Sequence, residues 1–184
     1  MKIYLSNLIV NIAAGAFFCL SAVVAGLCVG LPLFGAFFMP TEQVFLHTLC
    51  ALGVMAVYAS VYTAMGMLCE NKVIATILCV VLAFFLLFLG QHLFQALLEP
   101  EFFSEFVIAG GKESIADGEP NPYYLRGLKR QVYSFFNDLL PGGQSFQIQR
   151  TGIEHPWRLL GYSGILVCLS TGVGLLCFNR KNLK

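Results

Sequence analysis

The three histidines have the widest chemical range in this sequence, because a neutral imidazole can bind a metal ion or carry a proton. His47, His92 and His155 each fall near one end of an apolar run. They show neither an HxxxH nor an HExxH spacing, the patterns in which two imidazoles on one helix face bind zinc. Separate interfacial hydrogen bonds are therefore the favoured interpretation, and we expect no metal and no other cofactor.

Nucleotide and thiol chemistry are not predicted either. Gly111-Lys112, the only Gly-Lys pair, is followed by Glu113 and not by the Ser or Thr that holds magnesium in a P-loop. The seven cysteines lie in or beside apolar runs and include no CxxC pair, so we interpret them as small apolar side chains. No Ser/His/Asp set or paired intramembrane carboxylates are present. We expect a chain that is not an enzyme.

The apolar composition predicts the elements that must position these side chains. The chain is 58% apolar and 11% charged, against roughly 25% charged in soluble domains. Four runs are long enough to cross a bilayer, at residues 8–31, 45–68, 73–98 and 157–178. Of the 21 Lys, Arg, Asp and Glu side chains, only Arg158 lies inside them. The sequence predicts an all-α integral membrane protein with four transmembrane helices in a single domain, residues 1–184.

The first apolar run needs separate treatment because it continues beyond the span at residues 8–31 as far as Phe38, past the length that a bilayer requires. It is about twice as long as the roughly 7 to 15 apolar residues of a signal peptide, so we expect an uncleaved span. Pro32 divides it. Since proline interrupts helical hydrogen bonding, we expect residues 31–39 to form a kinked or irregular turn.

Most of the charge and turn chemistry falls between the third and fourth spans, in residues 99–156, called here the 99–156 segment. The spacing of Phe102, Phe103 and Phe106 predicts a short helix. Gly110-Gly111 ends it, and residues 112–119 are predicted to form a polar, mobile link.

The second half of the 99–156 segment predicts a two-faced helix. Asn121 is the predicted N-cap and Pro122 the first helical residue. Apolar side chains then recur at helical spacing as far as Leu139, with charged side chains opposite, and Pro141-Gly142-Gly143 is predicted to end the helix. We expect short amphipathic outer helices on the membrane surface before the last span.

Orientation and partners follow from the charges. Basic residues are densest in the short flanks of one side, namely Lys2, Lys72, Arg180, Lys181 and Lys184. That density predicts a multi-pass protein of the cell membrane with both termini in the cytoplasm and the 99–156 segment outside. The net charge of +1 provides no basic field, so we expect no nucleic acid partner.

Small residues at four-residue spacing predict close helix packing. Gly26 and Gly30 form a GxxxG pair in the first span, and Ala56, Ser60 and Ala64 form a stripe in the second. Such stripes let helices approach closely in lipid, where no hydrophobic drive joins them. They are typical of a packed bundle or of a dimer.

Two pairs of polar side chains inside the spans are candidates for a pathway wall. Tyr58 and Tyr62 lie one turn apart, and Gln91 with His92 is the most polar point of any run. Each pair has a second interpretation that stays open. The tyrosines could pack against a neighbouring helix, and Gln91 with His92 could mark where the third span meets lipid headgroups.

Three motifs carry a resemblance to a known family. They are Asn121-Pro122-Tyr123-Tyr124-Leu125-Arg126-Gly127 followed by Leu139-Leu140-Pro141-Gly142-Gly143-Gln144, the closing Phe178-Asn179-Arg180-Lys181-Asn182-Leu183-Lys184, and the opening Ile3-Tyr4-Leu5-Ser6-Asn7-Leu8-Ile9-Val10-Asn11. In this order they resemble the outer segment before the last span, the tail, and the approach to the third span of membrane subunits of type 2 ATP-binding-cassette (ABC) transporters.

The resemblance implies a fold and a site. Permeases of this family have six spans, work as dimers with two cytoplasmic ATPase subunits, and close the pathway with short outer helices. The candidate outer gate here consists of the residues that match those motifs, namely Asn121, Pro122, Tyr123, Tyr124, Pro141, Gly142, Gly143 and Gln144. The four predicted spans correspond to the last four of the family. The chain would then be a half permease completed by a second chain, or a shortened permease.

The function predicted on this basis is a permease subunit, or partial permease, of an ABC exporter. Its partners would be a cytoplasmic ATP-binding subunit that hydrolyses ATP, a second permease chain or a second copy of itself, and the lipid bilayer. The alternative is a four-span structural or accessory membrane protein that binds a partner or lipid through the 99–156 segment.

Overall fold

A computed structural model describes residues 2–34, 40–109, 112–150 and 152–182 of the chain. Four of its helices are long and apolar enough to cross a membrane, in agreement with the four predicted spans. In chain order the described elements are α1 (Lys2–Phe34), α2 (Thr41–Leu68), α3 (Lys72–Leu98), β1 (Phe102–Ala109), β2 (Lys112–Pro120), α4 (Gly127–Leu139), α5 (Pro141–Ile148) and α6 (Pro156–Asn182).

The end of the first span differs from the prediction. α1 includes Pro32 and continues to Phe34, so the helix extends past the proline that was predicted to begin an irregular turn. The rest of that turn, residues 35–39, lies outside the described residues.

α3 begins directly after the short link from α2, because the Asn71 side chain accepts hydrogen bonds from the amides of Val73 (2.9 Å) and Ile74 (3.3 Å). This N-cap satisfies amides that have no partner within the helix.

Helix α2 is the centre of the bundle. Both α1 and α6 pack along it, whereas α3 packs mainly against α5 and makes only a short contact with α2. Polar side chains join the packed helices, since the hydroxyls of Ser60 and Ser170 lie 2.6 Å apart and Asn11 donates to Thr63 Oγ1 at 2.8 Å. Hydrogen bonds of this kind hold helices together in lipid, where apolar contact alone gives no hydrophobic drive.

The start of α2 and the end of the 99–156 segment lie on the same side of the bundle. The His47 ring, near the start of α2, has Nε2 at 2.9 Å from the carbonyl oxygen of Arg150, just before α6. Its Nδ1 lies 2.6 Å from the carbonyl oxygen of Gln43. Each ring nitrogen therefore lies next to a backbone oxygen, and a neutral imidazole donates a hydrogen bond to one of the two.

The outward faces of the spans are apolar. On α3, for example, Phe84, Phe85 and Phe88 are each more than half exposed, and exposed apolar side chains also recur on α1 and α6. Water-soluble monomers rarely expose contiguous apolar surface on this scale. The exposed apolar faces are consistent with an all-α membrane protein.

The first half of the 99–156 segment is a β-hairpin. β1 and β2 pair antiparallel, with Glu105 opposite Ala116 and Ala109 opposite Lys112. The predicted short helix over Phe102, Phe103 and Phe106 and the predicted mobile link over 112–119 are both wrong, and Gly110-Gly111 lies outside the described residues. Phe, Val and Ile favour strands, and pairing with β2 satisfies backbone groups that a short isolated helix would leave open to water.

The predicted start of the amphipathic helix is also wrong, whereas its predicted end before Pro141 is confirmed, since α4 ends at Leu139. α4 begins at Gly127, and Asn121 caps a turn, with its side-chain oxygen accepting from the Tyr123 amide at 2.9 Å. Its side-chain nitrogen donates to Glu99 Oε2 at 2.9 Å, which ties this turn to the end of α3. Pro141 starts α5, since a proline at the first helical position loses no hydrogen bond. α4 and α5 are the short helices expected before the last span.

The contact between α3 and α5 predicts a sharp difference between glycines. A side chain at Gly90 would strike the backbone of Gly142 and Gly143, whereas a Cβ at Gly26 would have no atom within 4 Å. We expect Gly90→Ala to lower the free energy of unfolding by about 1–3 kcal/mol through overpacking. Gly26→Ala, the matched control, should leave it unchanged or raise it by about 1 kcal/mol. Thermal unfolding in one detergent measures both, and equal effects would contradict the packing.

Candidate functional site at the helix α5 junction

Helix α5 enters the bundle among the other helices instead of lying on its surface. Its first four residues, Pro141, Gly142, Gly143 and Gln144, are all buried. A Cβ at Gly142 would overlap the carbonyl of Leu86, so the α5 backbone rests directly on α3. Only glycine permits such an approach, because any other residue would hold the two backbones apart. The Pro-Gly-Gly sequence thus determines where α5 can be seated.

A single buried amide joins three helices at this point. Gln144 has no exposed surface. Its Nε2 donates to the carbonyl oxygens of Asp138 (2.7 Å) and Leu159 (3.4 Å), and its Oε1 accepts from the hydroxyl of Ser163 at 2.8 Å. A buried amide is stable only when its groups are paired, and these bonds link α4, α5 and α6.

An ion pair lies next to that amide. Arg158 Nη2 is 2.8 Å from Asp138 Oδ2, and the Asp138 side chain is only 13% exposed. Gln147 donates to the other carboxylate oxygen at 3.1 Å and to the carbonyl of Asn137 at 3.0 Å. Arg158 is the one charged side chain inside the predicted spans. Its partner on α4 explains how a charge is tolerated there, because intramembrane charges pair with one another.

A cleft of about 510 Å³ opens beside this network, between the end of α3, α4 and the residues that precede α6. It is called here the charged cleft. Its wall includes Arg130, whose guanidinium lies 4.8 Å from the Tyr124 ring centre, and Arg150, at 5.1 Å from the Phe94 ring centre. Acidic side chains also line it, including Glu99 and Glu154. The cleft therefore presents both charges and two aromatic rings, a surface suited to an amphipathic molecule.

The predicted gate residues fall into two groups. Asn121, Pro122, Tyr123 and Tyr124 form the turn that is bonded to the end of α3, and Pro122 and Tyr123 are exposed. Residues 141–144 lie in the buried junction. Tyr124 reaches the charged cleft, whereas the residues of α5 form the contact with α3.

The predicted pathway residues lie on two helices. The rings of Tyr58 and Tyr62 stand 5.7 Å apart on α2. Gln91 and His92 are exposed on α3, and the His92 ring lies 6.2 Å from Tyr133 of α4. The two tyrosine rings thus contact each other on α2, whereas the His92 ring contacts α4.

The two predicted packing stripes differ in whether they contact another helix. Ser60 is fully buried and reaches α6 through Ser170, with Ala56 and Ala64 half-buried on the same helix. Gly26 and Gly30 have no neighbouring atom within 4 Å of an added Cβ. The stripe on α2 thus lies inside the bundle, and use of the GxxxG pair in a dimer stays a prediction.

Several residues of the junction carried no sequence signal as a site. Gly90, Asp138, Gln147 and Ser163 come from four different helices and share no motif. One signal was available, because the only charge within a span, Arg158, needs a partner of opposite sign. Asp138, on the preceding amphipathic helix, was a candidate for that partner. Among the described residues, no three His, Cys, Asp or Glu side chains are grouped so that they could hold a metal ion.

Comparison with protein-family models, curated proteins and solved structures finds no match to this chain. The resemblance to type 2 ABC permeases thus rests on the three sequence motifs. Function has to be inferred from the geometry of the site.

The Gln144 network predicts coupled effects on stability. Ser163→Ala removes the donor to Gln144 Oε1 and should lower the free energy of unfolding by about 1–3 kcal/mol, the cost of an unpaired buried polar group. Gln144→Leu should also destabilise, and the double variant should lose less than the sum because neither partner of the Gln144–Ser163 hydrogen bond is then left unpaired. Ser21→Ala is the control, since that hydroxyl is exposed and bonds only its own helix. Strictly additive losses would contradict the network.

Proposed function

We propose that the chain is a permease subunit, or partial permease, of an ABC exporter that depends on a separate cytoplasmic ATPase subunit. One observation supports this most strongly. A short helix that is not a span, α5, is seated at one end of the bundle against α2, α3 and α4, and bonds to α6 through Gln144. An element in that position can close a pathway between the spans at one membrane surface.

The closure depends on few bonds. Gln144 with Ser163 and Asp138 with Arg158 hold α4, α5 and α6 together, and bare glycine backbone makes the contact with α3. Each hydrogen bond contributes about 1 kcal/mol net. A partner that binds an open arrangement about 10⁴-fold more tightly than a closed one supplies about 5.5 kcal/mol, enough to separate such contacts. ATP binding by the partner subunit would provide that preference.

The remaining elements have roles consistent with this proposal. The four apolar helices supply the walls of the pathway. The protein lies in the cell membrane, with both termini in the cytoplasm. The charged cleft, lined by Phe94, Arg130 and Arg150, offers an amphipathic cargo an exit surface next to α5. A second permease chain or a second copy completes the pathway.

The alternative is a four-span structural or accessory membrane protein. The observation in its favour is the absence of space between Gly90 of α3 and Gly142 of α5, as expected of a static joint. On this hypothesis the 99–156 segment, with its hairpin and charged cleft, binds a partner or lipid, and no further spans are needed.

The partner test comes first. We expect the full chain, purified from its native membrane in mild detergent, to retain an ATPase subunit in a stable complex. ATP hydrolysis in the purified fraction and mass spectrometry of its components measure this. A chain purified under the same conditions with no nucleotide-hydrolysing partner would overturn the permease proposal and favour an accessory role.

A cross-link distinguishes a moving α5 from a static one. Alanine at Gly142 or Gly143 would clash with backbone, so a covalent tie is the better probe. Phe94 of α3 and Phe146 of α5 stack with ring centres 6.0 Å apart. In a cysteine-free background, Phe94→Cys with Phe146→Cys and a short bifunctional thiol reagent should lower ATP hydrolysis by the complex about tenfold, the loss expected when closure is locked.

The untreated double variant and each single variant treated with the reagent are the controls. Both should keep the rate of the cysteine-free complex. Full activity after verified cross-linking would show that α5 does not move during turnover, and would contradict the gate.

A further inference from the structure

A second cleft, called here the arginine cleft, lies between α4 and the start of α6. Its volume is about 550 Å³, and it shares Arg130 and Ser134 with the charged cleft. The other lining residues are Gly127, Gln131, Phe135 and Arg158. The permease proposal does not use this cleft.

The two clefts differ in charge. Four carboxylates line the charged cleft, from Glu99, Glu101, Asp138 and Glu154. The residues that line the arginine cleft include no acid, and its charged side chains are Arg130 and Arg158. Asp138 pairs with Arg158 at 2.8 Å, but the two arginines outnumber this one carboxylate. A phosphate would therefore be repelled by the first cleft and attracted by the second, because charges a few ångströms apart interact strongly near a low-dielectric surface.

Both guanidinium groups have donors to spare. Arg130 Nη2 donates to the Leu97 carbonyl at 3.3 Å, while its Nη1 is buried with no hydrogen-bond partner. Arg158 contacts Asp138 through Nη2, and half of its side chain is exposed. An arginine has five N–H donors in a planar fork that fits phosphate oxygens. Arg158, half exposed, has further donors for an anion, and the unpartnered Nη1 of Arg130 becomes available when this side chain turns toward the cleft. Ser134 and Gln131 add neutral donors at the same wall.

The surroundings of the cleft are those of a membrane interface. The side chains of Leu128 and Trp157 are more than 70% exposed, on α4 and at the start of α6. Tryptophan at the end of a span is typical of the headgroup level. Phe135 lies in the wall of the cleft, 6.0 Å from the Tyr162 ring, and offers an apolar surface to an acyl chain.

The geometry points to a binding site for the phosphate of an anionic phospholipid, held by Arg130 and Arg158 with its acyl chains along Phe135. A choline or ethanolamine headgroup would bring a cation next to two guanidinium groups with no acid lining the cleft to receive it. A lipid whose headgroup carries no positive charge, such as phosphatidylglycerol, avoids this repulsion. The site is independent of the permease proposal, since a permease and an accessory protein would both contain it.

Fluorescence provides the test, because Trp157 is the only tryptophan in the chain and adjoins Arg158. The purified full chain in nonionic detergent is titrated with phosphatidylglycerol carrying brominated acyl chains, which quench tryptophan, and separately with brominated phosphatidylcholine. We expect half-maximal quenching at about tenfold less phosphatidylglycerol, because only the choline headgroup brings a cation next to the two guanidinium groups.

Variants locate the site. Arg130→Gln and Arg158→Gln should each raise the half-maximal concentration about tenfold by the same reasoning. Lys129→Gln is the matched control, because it removes one positive charge from the neighbouring position of α4 without touching the cleft lining. Thermal unfolding of each variant is measured alongside. Ser134→Ala, a second lining variant with a smaller expected loss, keeps the test valid if Arg158→Gln does not fold.

Three results would overturn the site. The first is equal affinity for the two lipids, and the second is a loss in Lys129→Gln as large as that in Arg130→Gln, which would indicate a diffuse surface charge. The third is reversal of the quenching by excess inorganic phosphate, which would assign the cleft to a soluble anion instead of a lipid.

Discussion

The close approach of two peptide backbones, α3 at Gly90 and α5 at Gly142, is the constraint on which the rest of the structure depends. α3 makes only a short contact with α2, so α5 is the main attachment of this span to the bundle. The depth at which α5 enters also places Gln144 opposite Ser163 and sets α4 where Asp138 meets Arg158. A single backbone contact thus aligns the polar network of the junction.

Polar contacts join the helices at the junction. In lipid such contacts can hold helices together, since apolar contact alone gives no hydrophobic drive there. The spans meet through small residues and through hydrogen bonds such as the one between Ser60 and Ser170, while large apolar side chains face outward. A buried amide such as Gln144 is therefore part of the scaffold that holds α5. The same bonds are weak enough individually to be broken by a partner, which is why one geometry is compatible with a gate or with a static joint.

Arg130 gives the two sides of α4 different chemistry. It lines both clefts, one with four carboxylates in its wall and the other with a second arginine. Its side chain is positioned by the Tyr124 ring and the Leu97 carbonyl, and thus by the turn at Asn121 and the end of α3. The motif that resembles type 2 ABC permeases therefore helps to position a wall residue of both clefts, because Tyr124 contacts Arg130, in addition to forming the turn itself.

The sequence by itself determined the four spans, because the need to fill hydrocarbon with apolar residues acts on each stretch of chain separately. The amphipathic face of α4 was also predictable, because the helical spacing of its apolar residues is a local property of the sequence. The tertiary structure alone decided the hairpin, the use of Asn121 in a turn instead of a helix cap, and the entry of α5 at Pro141. These depend on partners distant in sequence, such as Glu99 for Asn121 and Leu86 for Gly142. A local pattern cannot specify such partners, since contact between remote segments is settled only when the helices pack.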